Sequence, residues 1–141
     1  MPTQEVKFDP VRINDFELVA EVGDPLSEEG LTRVKLSGDG RLTVEQQHGK
    51  GKGEQFSGEI NRENTENLLR QASQFDWGQR FPSRRGLPDE AIVQWYLYDR
   101  HGSTMTLKVW LRDAEKHGAM APVLAILRKS VERVTDGKLY L

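Results

Sequence analysis

Between Leu31 and Val44 the chain alternates apolar and polar side chains on both sides of a glycine-containing turn, and one turn length keeps that alternation in register. The arms are Leu31-Thr-Arg-Val34-Lys-Leu36 and Arg41-Leu42-Thr-Val44, joined through Ser37-Gly38-Asp39-Gly40. Strand side chains point to opposite faces with a period of two, so a slip of one residue moves the whole apolar set to the solvent side. A two-residue loop would set Leu36 against Arg41 or Thr43. A three-residue loop of Gly38, Asp39 and Gly40 pairs Leu36 with Leu42 and Val34 with Val44. It also puts Gly40 at the left-handed position that follows a type I turn in a G1 bulge. The pattern predicts a half-buried antiparallel hairpin with that turn.

The solution recurs downstream. Ala91–Tyr98 and Thr104–Trp110, joined through Arg100-His101-Gly102, pair Leu97 with Met105, Trp95 with Leu107 and Val93 with Val109 on one apolar face, with Gly102 at the bulge. The opposite face sets Ile92, Gln94, Tyr96 and Tyr98 against Trp110, Lys108, Thr106 and Thr104, a mixed rather than polar surface. Two more strands read as Phe16–Val22, stopping at Gly23-Asp24-Pro25, and Gln55–Ile60, where Gly58 suggests a bend or bulge. A helix carrying Leu68, Leu69, Ala72 and Phe75 starts near Asn61 or Asn64, both good caps. A second has Pro122 in its first turn, a stripe of Val123, Leu124, Leu127, Val131 and Val134, and Gly137 as its stop. The order ββββαββα implies an α+β fold: an antiparallel sheet of about six strands with two helices packed on one face. Residues 1–14 read as an extended N-terminal arm and 15–141 as a single α+β domain.

Composition narrows the chemistry. A chain of 141 residues can build its core without metal or disulfide, and the absence of cysteine excludes disulfides, thiolate zinc sites and a cysteine nucleophile. No apolar run approaches the ~20 residues of a membrane-spanning helix, and Met1–Pro10 lacks the apolar core of a signal peptide. A cytoplasmic protein without a membrane partner is the expectation. The overall charge of −2 hides an asymmetry: residues 1–30 hold eight acids against Lys7 and Arg12, leaving −6 there and +4 in the remainder. Such a segment is an interaction arm, lies against basic residues of its own molecule, or is ordinary solvated charge.

Catalytic spacings are missing. His48, His101 and His117 have no partner ligand at i+3 or i+4, and no serine sits in a strand–turn–helix nucleophile setting. The tract Gly49-Lys50-Gly51-Lys52-Gly53 fits neither the phosphate-loop nor the dinucleotide spacing. Lys50 and Lys52 are still candidates for holding an anion, against the simpler reading of a hairpin loop. The expectation is a chain that is not an enzyme and uses no metal or cofactor.

Binding residues are easier to nominate. The segment Trp77–Asp89 gathers Arg80, Phe81, Arg84 and Arg85 with two prolines, Pro82 and Pro88, in a loop of a length often used for recognition. Tyr96, Tyr98 and Trp110 fall on one side of the second hairpin, and such residues are enriched at protein interfaces. In the plainer alternatives, the arginines meet the acidic first thirty residues. The aromatic face is then covered by Val6, Phe8, Val11 and Ile13 of the arm, or by a helix. Nucleic acid is disfavoured by a pI of about 5.9 and the lack of a recognition-helix or aromatic RNA-binding signature.

The succession of a Gly-turn hairpin, a helix ending Leu68-Leu69-Arg-Gln-Ala72-Ser-Gln-Phe75, a Pro-rich loop to Pro88-Asp89, a Tyr-containing strand, a Gly turn, a strand and a Pro-Val-Leu-Ala-Ile-Leu helix resembles emfourin-type proteins. These are small bacterial inhibitors of thermolysin-like metalloproteases. The likeness covers about residues 31–131, and the N-terminal strand and basic glycine loop lie outside its pattern, so no inhibitory residue is carried over. It implies a non-catalytic binding protein, the direction the residues already favour. The expected function is binding of a protein partner. The alternatives are anion or nucleic-acid binding through the basic loops, and a small-molecule or enzymatic cavity between sheet and helices.

Overall fold

The computed structural model describes residues 8–23, 30–47, 53–78, 91–102, 104–139 and 141. Six antiparallel strands, β1 (Phe16–Gly23), β2 (Leu31–Ser37), β3 (Arg41–Gln47), β4 (Gln55–Glu59), β5 (Ile92–Asp99) and β6 (Thr104–Trp110), form one sheet in the order β4-β3-β2-β1-β5-β6. The helices are α1 (Arg62–Ser73), α2 (Leu111–Lys116) and α3 (Met120–Val134). The first four strands meander outward from β1; α1 then lies against β1 and α3 on the core face, and β5 enters on the other side of β1.

Both hairpins adopt the register set by their alternation. Leu36 pairs with Leu42 and Val34 with Val44; Leu97 pairs with Met105, Trp95 with Leu107 and Val93 with Val109. Gly40 and Gly102 take φ of +94° and +100°, the left-handed region that only glycine enters without strain. Leu18 and Ala20 of β1 continue these apolar rows between Leu36 and Leu97, and between Val34 and Trp95. On this one face the sheet meets Leu68, Leu69 and Ala72 of α1 and Val123, Leu124, Leu127 and Val131 of α3, all buried. Each such leucine or valine contributes about 1.5–3 kcal/mol of apolar burial. The helix α1 is capped by Asn61, whose side chain accepts from the Asn64 N–H at 2.8 Å.

Three local readings are corrected by the fold. Residues 10–14, expected to be extended, lie in a 3-10 helix over Pro10–Asp15, because Asp9 caps it by accepting from the Val11 N–H and Pro10 pre-sets the first turn. Gly58 marks no bulge: β4 pairs regularly with β3, with Gly58 opposite Leu42. Its missing side chain is the space filled by Val134 of α3, whose Cγ2 would stand 2.6 Å from a Cβ at that position. Finally, a third helix, α2, follows β6 directly. Its six residues bury only Ala114, too little periodicity to read from sequence.

The 3-10 helix clamps one end of the sheet between the two hairpin turns. Gly38 donates its N–H to the Phe16 carbonyl at 2.9 Å, and a Cβ on Gly38 would strike the Ile13 carbonyl oxygen. The Arg100 N–H donates to the Asp15 carbonyl, and the Arg12 guanidinium lies 3.3 Å from Asp99. Ile13 is buried in the core, Phe8 packs edge-on against Phe16, and Val11 is 90% exposed. Among its described residues, the N-terminal segment therefore closes the end of the sheet rather than covering the aromatic face.

Candidate functional site

One face of the sheet is filled by the core, and the other carries a cross-strand lattice of polar and aromatic side chains. Strand pairing fixes two complete rows across all six strands. One runs Gln55, Glu45, Arg33, Glu21, Gln94, Lys108; the next runs Ser57, Thr43, Lys35, Val19, Tyr96, Thr106. At the Tyr98 end, Glu17 stands between Ser37 and Tyr98, and Tyr98 opposes Thr104. On this face the outer positions Gln55, Ser57, Thr104, Thr106 and Lys108 are exposed, as is Lys35 on the inner strand β2.

The centre of the face is held by its own side chains. Tyr96 and Tyr98 stack with ring centroids 6.0 Å apart and planes 4° from parallel. Both are half-buried, and Val19, opposite Tyr96, is fully buried although it points away from the core. Tyr96 also hydrogen-bonds through its hydroxyl to the Glu21 carboxylate. Burial first, then that hydrogen bond and the negative charge of Glu21, push its pKa up to about 12. Two loose ion pairs cross between β1 and β2: Glu21 with Arg33 at 3.8 Å, and Glu17 with Lys35 at 3.5 Å.

These contacts answer part of the charge asymmetry. The described acids of the first thirty residues, Asp9, Asp15, Glu17 and Glu21, each have a cationic neighbour: Asp9 and Asp15 have Arg12, and the two glutamates have Lys35 and Arg33 of β2; Asp15 also lies 3.1 Å from His101 Nε2. An acidic strip on β1 thus lies beside a basic strip on β2.

The aromatic trio does not meet as one patch. Tyr96 and Tyr98 are adjacent, but Trp110 opposes Ile92 at the other end of β5, four residues from Tyr96 and about 13 Å along the strand. Arg80, Phe81, Arg84 and Arg85, and the anion candidates Lys50 and Lys52, lie outside the described residues. What sequence reading missed is the contribution of β1 and β2. Glu17, Glu21, Arg33 and Lys35 complete the face with Tyr96 and Tyr98, and their alternation with buried neighbours was the available signal.

Three concave features are found among the described residues, the smallest a dip of about 90 Å³ on the open face lined by Arg33, Lys35, Thr43 and Glu45. A cleft of about 490 Å³ at the clamped end is lined by Asp15, Glu17, Ser37, Asp39, Tyr98 and Arg100. A groove of about 300 Å³ between α1 and α3 is lined by Asn61, Asn64, Ile126, Lys129, Ser130 and Arg133. Among the described residues no cluster of three His, Asp or Glu side chains is arranged to hold a metal, and no helix is long and apolar enough to cross a membrane. No protein-family model matches the chain, and a search of curated proteins finds no match to it.

Proposed function

We propose that the chain is a non-catalytic binding domain that holds a protein partner on the open face of its sheet. The observation that supports this is the stacked Tyr96–Tyr98 pair, fixed on a central strand and flanked by exposed threonines and charges. Aromatic side chains immobilised on a rigid element lose little entropy on contact and supply large amphipathic area. The resemblance to emfourin-type proteins favours binding over catalysis in the same direction, and the same reading takes the protein to be cytoplasmic.

The test is capture by cross-linking from a cell extract, comparing wild type with Tyr98→Ala/Thr106→Arg. Thr106 is exposed and Tyr98 is half-buried outside the core, so the variant is expected to fold while losing at least about tenfold of its retained partner, the scale of one interface hot spot. An unchanged set of captured proteins would remove the face from the interface. A parallel Arg80→Ala/Arg84→Ala/Arg85→Ala variant reports whether the arginine loop contributes to the same partner.

A further inference from the structure

The geometry points to a second copy of this chain as an occupant of the open face, packed sheet against sheet about a two-fold axis that runs along the strands between β1 and β2. This rests on the reading of the face as a binding surface and names the partner chemistry that its charges fit.

The carrying observation is that the charge pattern is self-complementary about the middle of the sheet. Three strands lie on each side of the β1–β2 boundary, so an axis there overlaps the two sheets fully. A two-fold contact sets residue i of one copy on residue j of the other and j on i. Such an axis lays the β1 strip of each copy over the β2 strip of its partner. Glu21 then faces Arg33 of the second copy twice, while Glu45 faces Gln94 and Gln55 faces Lys108. In the neighbouring row Lys35 comes over Val19, between the second copy's Glu17 and Glu21, and Thr43 faces Tyr96. None of these facing pairs places like charges together.

An axis through β1 itself would instead oppose Glu21 to Glu21, so the pattern selects the central axis. Aligned sheets cross at about 30°, which displaces the outer strands and leaves the central four charges, Glu17, Glu21, Arg33 and Lys35, as the ones that decide register. Among the described residues these charges pair within one copy at 3.5 and 3.8 Å, and Arg33 and Lys35 keep 40% and 45% of their side-chain surface exposed. They therefore have room to accept a second partner.

The size of the face sets the strength. Six strands about 4.8 Å apart and seven residues of about 3.3 Å give roughly 600 Å² of flat area. A standard interface buries about 800 Å² per partner, so this contact is reversible rather than obligate.

Sedimentation velocity of the full chain is the experiment. The expected result is a mass rising from one to two copies of the 16.1 kDa chain as concentration increases from about 1 to several hundred micromolar. The dissociation constant should rise at least about tenfold between ~50 and ~500 mM salt, because the partly exposed pairs are screened. Two charge-strip variants then test the register. Glu17→Lys/Glu21→Arg makes both strips basic, and Arg33→Glu/Lys35→Glu makes both acidic. Each alone should stay monomeric, and an equimolar mixture should form a heterodimer. A neutral variant, Glu21→Gln/Arg33→Gln, introduces no repulsion within the sheet and should weaken the dimer about tenfold, keeping the test decisive if a strip variant fails to fold. A wild-type chain that remains monomeric throughout overturns the proposal. So does a dimer indifferent to the neutral variant. In either case, loss of a captured protein by Tyr98→Ala/Thr106→Arg would leave the broader binding reading standing.

Discussion

Tyr96 is held at its ring by Tyr98 and at its hydroxyl by Glu21, and the second contact makes a prediction about pH. Its pKa is raised from 10.0 to about 12, so between these values the unfolded chain has lost the phenolic proton while the folded chain keeps it. The folded state then binds more protons, and stability falls as pH climbs through that window, having been fully present below it. Tyr96→Phe should flatten this part of the stability–pH curve, measured by denaturant unfolding at successive pH values. Glu21→Gln should bring the late tyrosinate absorbance step down toward the ordinary tyrosine range. A Glu21→Gln titration superimposable on wild type would show that the carboxylate has no influence on the phenol.

Single residues also mark where local reading stops. Gly40 and Gly102 were legible because a hairpin register demands a left-handed residue at a fixed distance from its strands, a purely local requirement. Gly58 was misread because its reason is Val134, 76 positions further along the chain. Nothing near Gly58 in sequence distinguishes a bulge glycine from one on which a helix rests. Val19 is a similar case. It is buried on the outer face opposite Tyr96, a neighbour it has only because β5 returns beside β1.

Among the elements, the contact of α3 with β4 is the one most open to test. Gly58→Ala places a methyl group against Val134 and should cost about 1–3 kcal/mol in urea unfolding, the usual range for overpacking. Val134→Ala in the same chain should recover part of that loss, giving a coupling energy of about 0.5 kcal/mol or more in a double-mutant cycle. Strict additivity of the two changes would mean that α3 does not sit on Gly58. The strands and the two long helices were legible at this scale because each carries a full apolar period: two in the hairpin arms, 3.6 in the stripes of α1 and α3. The 3-10 helix was overlooked although Asp9-Pro10 is a recognisable start signal. Six residues with one buried position, Ile13, leave no period to find. Its effect on the site is substantial, since it closes the Tyr98 end of the face with Asp15 and buries Ile13 in the core, with Phe8 packed against it.

For the molecule as a whole, the strand order decides where stability lies. Strand β1 is paired on both sides and buries Phe16, Leu18, Val19 and Ala20, whereas β4 and β6 end the order of described strands. Native-state hydrogen exchange should find the amides of β1 and β5 opening only with global unfolding. Those of β4 should exchange at lower free energy, by loss of the outer strand alone. Equal protection of β4 and β1 would contradict a hierarchy set by position in the sheet. The same order creates the candidate site, because it places the acidic strip of β1 between the basic strip of β2 and the tyrosines of β5.

The sequence by itself determined the α+β class, the turn length and register of both hairpins and the buried stripes of α1 and α3. Each is fixed by periodicity and by turn geometry acting over a few neighbouring residues. The tertiary structure alone decided that β5 lies beside β1, that Tyr96 and Tyr98 share a face with Glu17, Glu21, Arg33 and Lys35 while Trp110 stands apart, and that Gly58 carries a helix. Those outcomes depend on contacts between residues far apart in the chain. Closing such distances is governed by how the whole apolar surface is buried at once, which no local pattern records.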